Sequence, residues 1–175
     1  MMAASGVLQA QTLEERLAAC TECHGPKTLP TNPQAPIVWG QHAGYLYLQL
    51  RDFKNGDRQH EFMNIFAATL QKQELLVIAE YIGAQQWPKT GYRSEDEESA
   101  ARRALAAGMC AECHFGSYAG DGTMPRLAGQ TVVYLEKTML DFKTGARANN
   151  AAKTSLMATF SEEEIRAMAI YLAGL

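Results

Sequence analysis

The sequence predicts an all-α protein made of two tandem copies of one small module. Two observations carry this. Pro36, Gly40, Gln41 and Tyr45 recur 89 residues later as Pro125, Gly129, Gln130 and Tyr134, and Asp52-Phe53-Lys54 recurs as Asp141-Phe142-Lys143; such self-similarity marks a duplicated unit. Each copy also closes on apolar residues at i, i+3, i+4 and i+7: Leu75, Ile78, Ala79 and Ile82, then Ile165, Met168, Ala169 and Leu172. That stripe is the buried face of an amphipathic helix.

Residues 1–10 are mildly apolar and rich in small residues, without a positive leader, and read as a tail or the remnant of a signal peptide. The first domain spans 11–86. It opens with a helix from Leu13 to about Cys23, has a middle helix from about His42, and ends on the striped helix. Trp87-Pro88 and Gly91 mark a linker over 87–94. The second domain, 95–175, repeats the plan. Ser94 and Glu97 form a capping box at its start, the acidic run from Glu95 sits at a positive helix end, a middle helix starts near Thr131, and Ser161 with Glu164 caps the last helix.

Every cysteine lies in Cys20-Thr-Glu-Cys23-His24 or Cys110-Ala-Glu-Cys113-His114. C-x-x-C-H is the attachment signature of a c-type haem, whose vinyl groups take thioether bonds from the cysteines. The adjoining histidine is placed to coordinate the iron. A structural zinc site would set its C-x-x-C pairs roughly 15–20 residues apart, whereas these start 90 apart. A thioredoxin-like pair needs a βαβ setting, and no alternating strand pattern surrounds either motif. The expected cofactors are therefore two covalently attached haems with their irons. At about 80 residues, each module buries little surface by itself, and a covalent haem supplies apolar bulk to such a small scaffold.

Composition adds exclusions. At 47% hydrophobic, 20% charged and net charge −3, the chain is ordinary globular protein. Its acidity, increased by haem propionates, argues against nucleic acid as a partner. No apolar run reaches the roughly 20 residues of a membrane-spanning helix.

C-x-x-C-H, then P-x-x-x-G-Q-x-x-x-Y, then D-F-K-x-G-x-R, then a methionine region and a terminal A-x-Y helix resemble class I cytochrome c domains. In tandem they resemble the cytochrome c4 family over nearly the whole chain. The resemblance implies crossed first and last helices, two facing modules, and a methionine opposite each histidine. The implied metal ligands are His24 with Met63, and His114 with Met157. His60 is a local rival to Met63, and Met124, Met139 and Met168 are alternatives to Met157, with Met139 and Met168 better suited to the core. The two modules disagree here: Met63 lies five residues before Ala68, but Met157 only one before the matching Ala158.

The resemblance also assigns haem-binding roles. Pro36 and Pro125 would accept the proximal histidine N–H, Arg58 and Arg147 would pair with propionates, and Tyr45 and Tyr134 would pack nearby. Trp39, matched by Ala128, reads as core, and His42 as a surface histidine. The implied function is periplasmic transfer of single electrons from a quinol-oxidising complex or dehydrogenase to a terminal oxidase or reductase. Peripheral association with a membrane complex fits the same role. The protein would thus be a carrier and not an enzyme; the alternatives are a small dihaem oxidoreductase or peroxidase with one open iron, and an electron-transfer subunit of a larger dehydrogenase.

Overall fold

The computed structural model describes residues 12–93 and 98–175. The tail 1–10, the expected Ser94–Glu97 capping box and the acidic run from Glu95 to Glu97 lie outside the described residues. Among those described there are nine α-helices and no strand, only an isolated bridge between Asp121 and Met124. The first module holds α1 (Leu13–His24), α2 (Ala43–Asn55), α3 (Glu61–Ala68) and α4 (Lys72–Gly83). The second holds α5 (Glu98–Ala107), α6 (Cys110–His114), α7 (Val132–Thr144), α8 (Ala151–Met157) and α9 (Glu162–Ala173).

Both predicted stripes are buried. Leu75, Ile78, Ala79 and Ile82 of α4 meet Leu46 and Leu50 of α2 and Leu17 of α1. Ile165, Met168, Ala169 and Leu172 of α9 meet Leu135 and Phe142 of α7 and Ala104 and Leu105 of α5. The Ser161–Glu164 box is present, and Thr12 with Glu15 forms a matching one on α1.

The modules differ where a single opening helix was expected twice. The second is interrupted between α5 and α6 at Gly108 and Met109, the latter at φ +47°. Ala18 holds the place of Gly108 in the continuous α1. A Cβ on Gly108 would stand 3.0 Å from the Phe160 ring, so the glycine admits the ring, and glycine also weakens a helix by roughly 1 kcal/mol relative to alanine.

The modules are joined by reciprocal hydrogen bonds. Gln41 accepts from the Arg126 amide at 2.8 Å and donates to its carbonyl at 3.0 Å. Gln130 does the same with Ile37, at 2.8 and 3.0 Å. Both glutamines are buried, and each satisfies a peptide group that would otherwise be stranded. His42 departs from expectation: its Nε2 lies 2.8 Å from the Ala119 carbonyl, across the same interface.

Candidate haem centres

In the first module α1 carries Cys20, Cys23 and His24 to its last turn, and Gly25 stops the helix at φ +71°. His24 Nδ1 lies 2.9 Å from the Pro36 carbonyl. Donation to that oxygen fixes the tautomer and leaves Nε2 as the basic nitrogen. Trp39, 1% exposed, donates its Nε1–H to the Gly25 carbonyl at 2.7 Å and so holds the turn after the histidine. Burial pushes His24 below the usual histidine range; the Pro36 carbonyl opposes this and His60 adds to it.

Met63 lies on α3, which the sequence did not reveal as a helix. His60 caps it by accepting the Met63 amide N–H at 3.4 Å on Nδ1, and it sets its ring edge-on to Phe53. Asn64 anchors α3 by donating to the Phe53 carbonyl at 2.7 Å and the Arg58 carbonyl at 2.8 Å. Met63 is half-buried against the first core.

The second module repeats this with one change. His114 Nδ1 lies 2.9 Å from the Pro125 carbonyl. Burial, and then the neighbouring Lys153 ammonium, push His114 down to about 4, so the ring is neutral at pH 7. Its other nitrogen, Nε2, has Lys153 Nζ at 3.0 Å. Lys153 lies on α8, capped by Asn150, which accepts the Lys153 amide N–H at 2.9 Å.

Matching bonds set α8 on α3 residue for residue. Lys54 donates to the Leu70 carbonyl and Lys143 to that of Phe160, both at 2.6 Å. The Thr69 and Thr159 hydroxyls donate to Phe66 and Leu156, both at 2.7 Å. Lys153 therefore occupies the place of Met63, and Met157 that of Ala67. Met157 is 4% exposed and lies in the apolar core with Phe160 and Met168, rather than in the position Met63 holds. Of the other methionines, Met168 is fully buried on α9, Met139 packs beside that core, and Met124 is exposed.

All four cysteines are free of disulfides. Among the described residues no three His, Cys, Asp or Glu side chains converge as a zinc site would require. Two thiols and a neutral, oriented imidazole at each motif fit a covalently held haem.

The expected propionate partners meet between the modules, each arginine on the other module's tyrosine. Arg58 donates to Tyr134 Oη at 3.1 Å, and Arg147 to Tyr45 Oη at 3.4 Å. Gln49 Oε1 accepts from both guanidinium groups, at 2.9 and 2.7 Å. Each guanidinium also covers an aromatic ring, Phe53 and Phe142 respectively. Burial alone would raise the Tyr134 phenol, but Arg58 and Arg147 outweigh it and draw it down to about 7. The 89-residue offset made these pairs visible, but not their crossing.

These motifs and folds define a dihaem c-type cytochrome. Residues 99–175 match the family model for cytochrome c. Cytochrome c4 of Thiocapsa roseopersicina is 34% identical, the match covering 89% of this chain and 86% of that protein. A thiosulfate dehydrogenase electron acceptor of Stutzerimonas stutzeri is 31% identical over 89% of this chain and 78% of its own. The solved cytochrome c4 of Acidithiobacillus ferrooxidans superposes with a TM-score of 0.81 at 26% identity, covering 90% of this chain and 99% of that one. The chain belongs to the cytochrome c4 family, carries two covalently bound c-type haems and serves electron transfer.

Proposed function

We propose that the chain is a periplasmic carrier that takes single electrons from a dehydrogenase or quinol-oxidising complex and delivers them to a terminal oxidase or reductase. The carrying domains are 11–86 and 95–175, joined by 87–94. The observation that carries the reading is the repeated His–Pro pair, His24 with Pro36 and His114 with Pro125, on two modules clasped through Gln41 and Gln130. The haem irons supply the one-electron chemistry.

The protein residues hold and tune those centres. Cys20, Cys23, Cys110 and Cys113 anchor the two groups, and the prolines keep each imidazole in one tautomer. Met63 completes the first centre, where a thioether favours Fe(II) and raises the potential. Arg58 and Arg147, with Tyr45 and Tyr134, bind the propionates: two guanidinium groups around one Gln49 oxygen form a positive site suited to carboxylates. No helix of the described residues is long and apolar enough to cross a membrane, which suits a carrier that docks at the surface of larger complexes.

A dehydrogenase as donor is favoured by the similarity to proteins named as electron acceptors of thiosulfate dehydrogenase. The test is a coulometric titration of the holoprotein followed by mixing with thiosulfate dehydrogenase and thiosulfate. Two electrons per chain and rapid haem reduction are expected. Uptake of a single electron sinks the dihaem carrier, and two electrons without reduction sinks the thiosulfate-linked donor. Release in the periplasmic fraction checks the location.

A further inference from the structure

We infer that the Lys153 amine, and not the Met157 sulfur, is the sixth ligand of the second iron. The inference rests on the dihaem reading above and concerns which atom faces His114. Three observations lead to it. Lys153 and Met63 occupy the same position on equivalent helices, each with its amide held by the capping side chain, Asn150 or His60. The Lys153 Nζ already stands 3.0 Å from His114 Nε2, the nitrogen that the Pro125 carbonyl leaves for the metal. Met157 is in the place of Ala67, and both are buried in the apolar cores, at 4% and 0% exposure.

The geometry requires a small adjustment. An iron held between His114 Nε2 and Lys153 Nζ would need the two nitrogens farther apart than their 3.0 Å, so Nζ would have to withdraw. The flexible four-carbon lysine stem allows that. The Lys153 amine would hold the iron as the neutral base, its ammonium proton passing to solvent with no electron transferred. Met157, by contrast, would have to leave the core beside Phe160 and Met168 to reach the iron.

The two centres are then unlike. Thioether is a soft ligand, whereas an amine is a harder donor that favours the ferric state. The second haem has the lower potential, and electrons run downhill from the second module to the first.

The test is near-infrared magnetic circular dichroism of the ferric holoprotein, with haem counted separately by the pyridine haemochrome assay. Two haems per chain are expected, one with the sulfur-to-iron charge-transfer band and one with the band of two nitrogen ligands. Lys153→Met should convert the second to the sulfur type and raise its potential. Met157→Leu, which nearly conserves volume, should leave the wild-type spectrum unchanged. Two sulfur-type haems in the wild type, or loss of a sulfur band in Met157→Leu, overturns the assignment. Fewer than two haems per chain removes the dihaem reading itself, and the assignment with it.

Discussion

Gly40 has φ +76°, and a Cβ there would stand 2.5 Å from the Trp87 amide nitrogen. Left-handed backbone costs a side-chain-bearing residue about 1–2 kcal/mol, and the collision with the linker backbone adds to it. Gly40→Ala should therefore lower stability by more than about 2 kcal/mol in denaturant titration. Gly56 has φ +82° but no neighbour within 3.4 Å, so Gly56→Ala should cost only the backbone part, about 1–2 kcal/mol. Equal losses would discount the linker contact. The His24–Pro36 and His114–Pro125 contacts were expected from the family resemblance and not from the repeat alone, and Trp39 was expected in the core, where it lies. Lys153 drew no such expectation, although it precedes Ala158 by the same five residues that separate Met63 from Ala68. A lysine reads as a solvated charge until the fold desolvates it, and that is settled by α6 and α8 together.

The sequence marked no helix in either methionine region, and the structure makes both helical, as α3 and α8. Helices of eight and seven residues are too short to persist without tertiary support, since nucleation is costly. Their sequences accordingly carry no strong period. What holds them is a small set of side-chain bonds: the caps His60 and Asn150, the Asn64 tether to α2, and the lysine clamps from α2 and α7. Asn150→Ala should cost about 1 kcal/mol and Asn150→Gly only a few tenths, measured by thermal unfolding of the holoprotein. Because α8 presents Lys153, the alanine variant should also weaken the distinct spectrum of the second haem. A stability loss with that spectrum untouched would limit Asn150 to a capping role. The α5–α6 break went unseen for a different reason: Gly108 alone is a weak signal, and the Phe160 ring it accommodates comes from a distant segment.

Over the whole molecule, the duplication was visible in the sequence but the way the copies meet was not. Pro-x-x-x-Gly-Gln appeared as a repeated string; the structure shows each Gln reaching the backbone of the opposite copy. Gln41→Ala would leave the Arg126 amide and carbonyl without that partner, at about 1–3 kcal/mol for a buried unsatisfied group. Gln41→Ala/Gln130→Ala should lose more than either single variant and slow electron exchange between the haems, read by pulse radiolysis. Unchanged exchange would mean that the remaining contacts, the crossed Arg–Tyr pairs and His42–Ala119 among them, suffice to hold the modules in place.

The reciprocal clasp bears on descent. Gln41 meets Arg126 as Gln130 meets Ile37, and Arg58 meets Tyr134 as Arg147 meets Tyr45; in these four contacts residue and counterpart exchange places. That is the signature of an isologous contact, the self-complementary patch of a twofold dimer. A single-module ancestor with these residues would have paired with its own copy before the genes fused. Fusion would then have freed each half to change separately, and Lys153 in the place of Met63 is one position where the halves differ in chemistry.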